Sequence, residues 1–261
     1  MHIPSTPKAI FDVSQKQDKQ YYSIVKKSNI AIRKARYSLS LQQQKVLCYL
    51  ISELKETDTH ETEKVFDIKA FYDFMEIGNK DYDKVRLALK ALSDKSWWIK
   101  SDSGEDVLVR FLNTVHADKH SAKVRIKFHE DMLPFLQHLH TEYTQYKLWY
   151  TMTMHSEYSL RLYELLKSVA RKETWYFEIV ELKRIFMCEN YKQFNDFKKR
   201  VIVPAVTEIN EKTDILVSYE LFKDGRTYIG IEFYIEEKNV TDRLNADKLI
   251  REELDDQQLL Y

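Results

Sequence analysis

The order helix, short strand, helix, helix, hairpin can be read twice along this chain, about 111–115 residues apart, and that repeat restricts the fold to two copies of one small unit. In the first copy Val46, Leu47, Leu50, Ile51 and Leu54 form an i, i+4 stripe opened by Ser40 as helix cap. Val65-Phe66-Asp67-Ile68 alternates as a short strand, and Phe71, Phe74 and Met75 mark a second helix. After a turn at Gly78-Asn79, a third helix is expected from Asp81 to Lys95, with Val85, Leu89 and Leu92 inward. Trp97 to Lys100, Val107 to Val115 and Ala122 to Phe128, with a turn at Asp102-Ser103-Gly104, read as three strands of one small antiparallel sheet.

In the second copy Leu162, Leu165, Leu166 and Val169 repeat the first stripe, Tyr176 to Ile179 the strand, and Leu182, Ile185 and Phe186 the second helix. Phe197 and Val201 stand where Val85 and Leu89 stood. The hairpin is Ile215 to Phe222, a turn at Asp224-Gly225, and Tyr228 to Ile235. This order is that of a winged helix-turn-helix, so the expected fold class is α+β: two tandem winged helix-turn-helix domains related by an internal pseudo-repeat.

The divisions expected are a polar, disordered segment at 1–20, a first winged-helix domain at 21–145, a second at 146–238, and an acidic tail at 239–261. Met132 to Leu139 reads as a helix. The connector from Pro134 to Tyr150 is aromatic and weakly punctuated, so the domains should be packed together or joined by an ordered segment.

The net charge of +0 looks hostile to nucleic acid, but it is unevenly placed. Four basic and eight acidic residues lie from Glu236 to Tyr261, which leaves the body at about +4 by difference. The tail's acidic stretch Arg251 to Asp256 is expected to be a solvated helix or a frayed end. No apolar run reaches membrane-spanning length and the start lacks a signal-peptide pattern, so the expected location is cytoplasmic, with no membrane partner. Cys48 and Cys188 read as packed, reduced thiols, and without a Cys-x-x-Cys pair no structural zinc is expected. With glycine only at 78, 104, 225 and 230, no phosphate-cradling loop can be built. No cofactor, metal or enzymatic activity is expected.

The stretch from Phe194 to Asn210 points to function. Phe197, Val201, Ala205 and Ile209 line one side of a helix whose opening turns carry Asn195, Lys198, Lys199 and Arg200. A helix basic at its start and apolar along one side suits the major groove of double-stranded DNA. Three consecutive α-helical residues sweep about 200°, so one or two of the cations should reach bases and the rest phosphates. Pro204 removes the hydrogen bond to the Arg200 carbonyl and should kink the helix. Arg226 sits at the wing tip, within reach of the phosphate backbone or a minor groove. In the first domain Lys84, Arg86 and Lys90 repeat the pattern, diluted by Asp81, Asp83 and Asp94, for a weaker grip. His138-Leu139-His140 with Tyr143 and Tyr146 raises a minor alternative, the metal-binding pair and tyrosine nucleophile of a nickase; surface histidines are the default.

Ser159 to Leu166, Phe197 to Asn210 and Lys223-Asp224-Gly225-Arg226 resemble the second domain of iteron-binding plasmid replication initiators. Asn29, Ala35, Leu39-Ser40-Leu41 and Leu47 are similar, more loosely, to the opening of their first domain. The resemblance covers roughly residues 25–236. It implies a protein that binds direct repeats at a plasmid origin as a monomer, promotes melting, and recruits the host replication initiator and replicative helicase. It also implies a homodimer, in equilibrium with the monomer and formed through the first domain, that represses its own promoter at an inverted repeat. Lys198, Lys199 and Arg200 match the family's groove-facing cations and Arg226 its wing arginine; Lys84, Arg86 and Lys90 rest on spacing alone. A winged-helix repressor without an initiator role is the rival reading, favoured by a lone palindrome rather than repeats beside the gene.

Overall fold

The computed structural model of the protein describes residues 23–74, 81–100, 104–118 and 120–259. The segment 1–20, Met75, the Gly78-Asn79 turn and Asp102-Ser103 lie outside the described residues.

Each domain begins with elements too short or too polar to stand out in the sequence. Strand β1 (Ile24–Ser28) leads into helix α1 (Asn29–Arg33) and then α2 (Leu41–Ser52). Ser40 and Gln43 close a reciprocal capping box at the start of α2, the Ser40 hydroxyl accepting from the Gln43 N–H and the Gln43 side chain from the Ser40 N–H. Strand β2 (Lys64–Asp67), helix α3 (Ile68–Phe74) and helix α4 (Tyr82–Asp94) follow. Then come β3 (Ser96–Lys100), β4 (Asp106–Arg110), β5 (Leu112–Ala117) and β6 (Lys123–Phe128).

The single three-stranded sheet expected over Trp97–Phe128 is instead divided between two sheets. β3 and β4 form a separate hairpin, while β5 and β6 join β2 in the order β2-β6-β5. The run Val107–Val115 breaks because Phe111 and Leu112 are both buried, which interrupts the in-out alternation of one strand. Phe111 packs against Trp97 at 5.7 Å. The helix expected over Met132–Leu139 is a 3-10 turn, Glu130–Phe135, with Pro134 inside it where an α-helical N–H is needed.

The second copy runs β7 (Tyr143–Lys147), α5 (Leu148–Met152), α6 (Glu157–Lys167), β8 (Thr174–Glu178), α7 (Ile179–Ile185), a long third helix, β9 (Ile215–Asp224) and β10 (Thr227–Glu237). Its sheet order β8-β10-β9 is the order of β2-β6-β5, so both domains share one topology. Residues 225 and 226 turn the β9–β10 hairpin, with Gly225 at φ 56° where an L side chain is strained. The tail forms helix α10 (Val240–Leu259), whose Ala246, Asp247 and Ile250 are buried and whose Asp247 pairs with Lys147 at 3.6 Å. Its first half is docked on the rest of the protein.

Strand β1 is tied back to mid-chain by an antiparallel pairing with β7, Ile24 opposite Lys147 and Ser28 opposite Tyr143. Beneath it lies a buried ionic cluster. Lys27 donates to Glu164 at 2.5 Å, the Tyr146 hydroxyl donates to the same carboxylate, and Arg161 stands 3.6 Å from its other oxygen. Arg161 also donates to the Tyr37 hydroxyl at 3.0 Å and the Ala35 carbonyl at 2.7 Å. Burial disfavours the Glu164 carboxylate, but the Lys27 and Arg161 cations outweigh it and hold the group below its ordinary 4.5. Cys48 lies in this cluster, and it and Cys188 are buried free thiols, as expected.

Candidate nucleic-acid interface

The third helix of the second domain starts at α8 (Phe194–Phe197), passes through a π turn at Lys198–Ile202, and ends in α9 (Val203–Lys212). Where a kink was expected, the helix changes its hydrogen-bond register: the Val203 N–H donates to the Lys198 carbonyl, five residues back. Phe197, Val201, Ile202, Ala205 and Ile209 are buried as one face. Phe194 stacks on Tyr228 of β10 with centroids 4.3 Å apart, fixing the helix start against the wing. At the other end the Asn210 side chain pairs with both backbone groups of Val217, at 2.9 and 2.7 Å, and holds the helix to β9.

On the opposite side Asn195, Lys199 and Arg200 are exposed and Lys198 half-buried. None of the three cations makes an ion pair or side-chain hydrogen bond among the described residues. The 200° sweep of an α-helix does not apply to them, because i→i+5 bonding advances each residue by less than the α-helical step. A groove of about 730 Å³ opens between α7, the start of α8 and the start of β10, and it brings Asn195 and Arg226 together. Lys183 and Lys192 line the same groove, and Lys223 lies over the Tyr228 ring at 4.3 Å. These three lysines were not picked out from the sequence. The signal available was their position: one on the second helix, one just before the third, one just before the wing turn. Glu178 lines the groove too, and farther along the sheet Glu220 and Glu232 face each other across β9 and β10 and share the Tyr234 hydroxyl. Hydrogen bonding to Glu232 pushes that phenol up to about 12.

The first domain presents a poorer surface. Lys84 is exposed but 3.4 Å from Asp81, and Lys90 is exposed and unpaired among the described residues. Arg86 is folded back, donating to Asp83 at 2.9 Å and to the Ser121 carbonyl at 2.7 Å. Leu87 is the most exposed apolar side chain of α4. Of the residues behind the nickase alternative, Tyr146 is buried in the Glu164 cluster, its hydroxyl held far above its ordinary titration range by burial first. Tyr143 lies under the Lys26 ammonium, His138 and His140 are exposed, and no group of three metal-capable side chains occurs among the described residues.

Two family models match this architecture: residues 24–167 match "Initiator Replication protein, WH1" and residues 178–235 match "Initiator Rep protein, WH2". The chain belongs to the initiator replication protein family. A "Replication initiation protein" of Escherichia coli is 25% identical over 224 residues, spanning 82% of this chain and 69% of that protein. An "Uncharacterized 27.6 kDa protein" of Escherichia coli is also 25% identical over 224 residues, spanning 79% of this chain and 93% of its own. The crystal structure of Pi initiator protein in complex with iteron DNA aligns with a TM-score of 0.70 at 16% identity, covering 84% of this chain and 99% of that one. That likeness is one of fold. Strands β1 and β7 and the Lys27–Glu164 pair all fall within the residues that match WH1, and no described helix is long and apolar enough to cross a membrane.

Proposed function

We propose that this initiator works by binding direct-repeat (iteron) DNA at a plasmid origin, with WH2 reading bases and WH1 adding weaker backbone contacts. The observation that carries the reading is the row Lys198, Lys199, Arg200: cations without side-chain partners among the described residues, near the start of a helix open to solvent, in a chain whose net charge is +0. A row of three adjacent cations without side-chain partners among the described residues, beside the Asn195–Arg226 groove, marks where an anionic polymer fits. The Pi initiator protein, of the same fold and solved in complex with iteron DNA, supports the same reading. Origin melting and recruitment of the host initiator and helicase belong to this proposal, as does a cytoplasmic location. So does a WH1 homodimer that represses its own promoter. In its favour, the β3–β4 hairpin exposes Trp98, Val107 and Leu108 on a sheet of only two strands, with β4 at its edge.

The experiment is a footprint on the DNA flanking the gene, followed by titration with the double variant Lys199→Ala, Arg200→Ala. Specific protection of tandem direct repeats by the wild type, with at least ~100-fold weaker binding by the variant at unchanged circular dichroism, is the expected outcome. Undiminished affinity of the variant would remove this helix as reader. Protection of a lone palindrome would favour the repressor.

A further inference from the structure

The third helices of WH1 and WH2 are internal controls for each other. In α4 the buried Val85 is followed by two residues, Arg86 and Leu87, before the buried pair Ala88 and Leu89. In WH2 the buried Phe197 is followed by three, Lys198, Lys199 and Arg200, before the buried pair Val201 and Ile202. Three residues occupy the arc that two occupy in the sister domain, so Ile202, and not Val201 as the sequence spacing suggests, takes the place of Leu89.

An extra residue in an uninterrupted α-helix would rotate everything after it by about 100°, turning Ala205 and Ile209 away from the core. Both are fully buried, so the insertion has been absorbed locally. The π turn absorbs it, through the bond from the Val203 N–H to the Lys198 carbonyl. The next residue is Pro204, which has no N–H to offer the Arg200 carbonyl, and that is the bond that would draw the turn back into α register. Because the core on either side stays in register, the inserted residue changes the outward arc alone. The arc gains one outward place, and all three of its residues are cations: Arg86, beside Leu87 in the two-residue arc, is tied to Asp83 and the Ser121 carbonyl, whereas Lys198, Lys199 and Arg200 have no side-chain partner among the described residues.

We propose that this one-residue π insertion, held by Pro204 as a positioning residue, is the specificity device of WH2: it sets Arg200 outward beside Lys199, where a continuous α-helix has one place fewer. The inference rests on the DNA-binding reading above. It distinguishes the register of the cations from their number, and a test can separate the two.

The probe is the duplex that the wild-type protein enriches from a random pool, compared with a scrambled duplex of equal length by fluorescence anisotropy at fixed salt. Deletion of Lys199 and the substitution Lys199→Ala remove the same charge, but only the deletion removes the inserted residue. The expected result is that the deletion lowers the selected-to-scrambled affinity ratio at least ~10-fold more than the alanine variant does. Equal ratios for the two would overturn the inference while leaving the DNA reading intact. Pro204→Ala, which changes neither length nor charge, serves independently should the deletion fail to fold. It is expected to lower the ratio at least ~3-fold, within the range of one base contact, with scrambled-duplex affinity and circular dichroism unchanged. An unchanged ratio for Pro204→Ala would overturn the role of the proline. If the wild type enriches no duplex at all, the DNA reading itself falls and takes the inference with it.

Discussion

At the scale of the residue, chemistry in this protein is set by what each polar group faces. Lys199 and Arg226 are exposed without side-chain partners among the described residues, whereas Arg86, which looks equivalent to Lys198 along the sequence, is held by a carboxylate and a carbonyl. The pattern made Asn195, Lys198, Lys199, Arg200 and Arg226 visible as candidates, because cations at the start of an amphipathic helix and at a glycine turn are local features. Whether each is free depends on neighbours up to 35 residues away, as for Arg86 and Ser121, and no local pattern carries that. If Arg226 touches phosphate, Arg226→Ala should weaken selected and scrambled duplexes by the same factor and reduce the slope of log affinity against log salt by about one. A slope equal to that of the wild type would exclude a phosphate contact at the wing tip. Gly230 shows a different constraint: a Cβ there would lie 2.1 Å from the Tyr176 hydroxyl oxygen, so the ring of β8 sits directly over the glycine of β10. Because Tyr176 is exposed and only the far end of its side chain is met, Gly230→Ala should cost less than about 1 kcal/mol, read as a nearly unchanged urea midpoint; a larger drop would show that the ring is held in place.

At the scale of the element, periodicity located the elements stabilised by their own residues. The α2 stripe, the Ser40 cap and the β9–β10 hairpin lie where alternation and capping chemistry put them. Strands β1 and β7 were not legible, since Ile24-Val25-Lys26-Lys27-Ser28 and Tyr143-Thr144-Gln145-Tyr146-Lys147 are mixed in polarity and exist by pairing with each other across more than a hundred residues. The division of the expected WH1 sheet has a similar cause: Phe111 and Leu112 both turn inward toward groups contributed by other elements. For the long third helix, Pro204 announced an irregularity, but its form depended on the side chains that must stay in the core. A kink would have misaligned α9, while a π turn keeps Ala205 and Ile209 buried.

At the scale of the whole molecule, segments far apart along the chain are locked by charge as well as by the β1–β7 pairing. Glu164 is fully buried and accepts from Lys27 and Tyr146, with Arg161 alongside. Removing one member of such a cluster leaves buried charge uncompensated, so Glu164→Gln should cost about 3–5 kcal/mol near neutral pH. The sign of its pH dependence follows from the lowered carboxyl. A folded-state value below the ordinary 4.5 contributes stability that is present above 4.5 and lost as pH falls through the folded value. Lys27 is shifted upward; burial pulls it down, but Cys48 and Glu164 outweigh that, so its contribution persists throughout the acid range. The gap between wild type and Glu164→Gln in urea unfolding should therefore be full at neutral pH and narrow on acidification below 4.5. A gap independent of pH would mean that Glu164 is buried uncharged.

The division of labour between sequence and tertiary structure follows the range of the interactions. Repetition, periodicity, turn chemistry and the placement of Asn195, Lys198, Lys199, Arg200 and Arg226 are properties of neighbours along the chain, and they determined the duplicated winged helix and its basic third helix. The pairing of β1 with β7, the buried Lys27–Glu164 cluster, the retreat of Arg86 and the π turn at Lys198–Ile202 were decided only when distant segments met. In each of these a polar group or a helix register had alternatives of similar local energy, and burial against a partner far along the chain selected one of them.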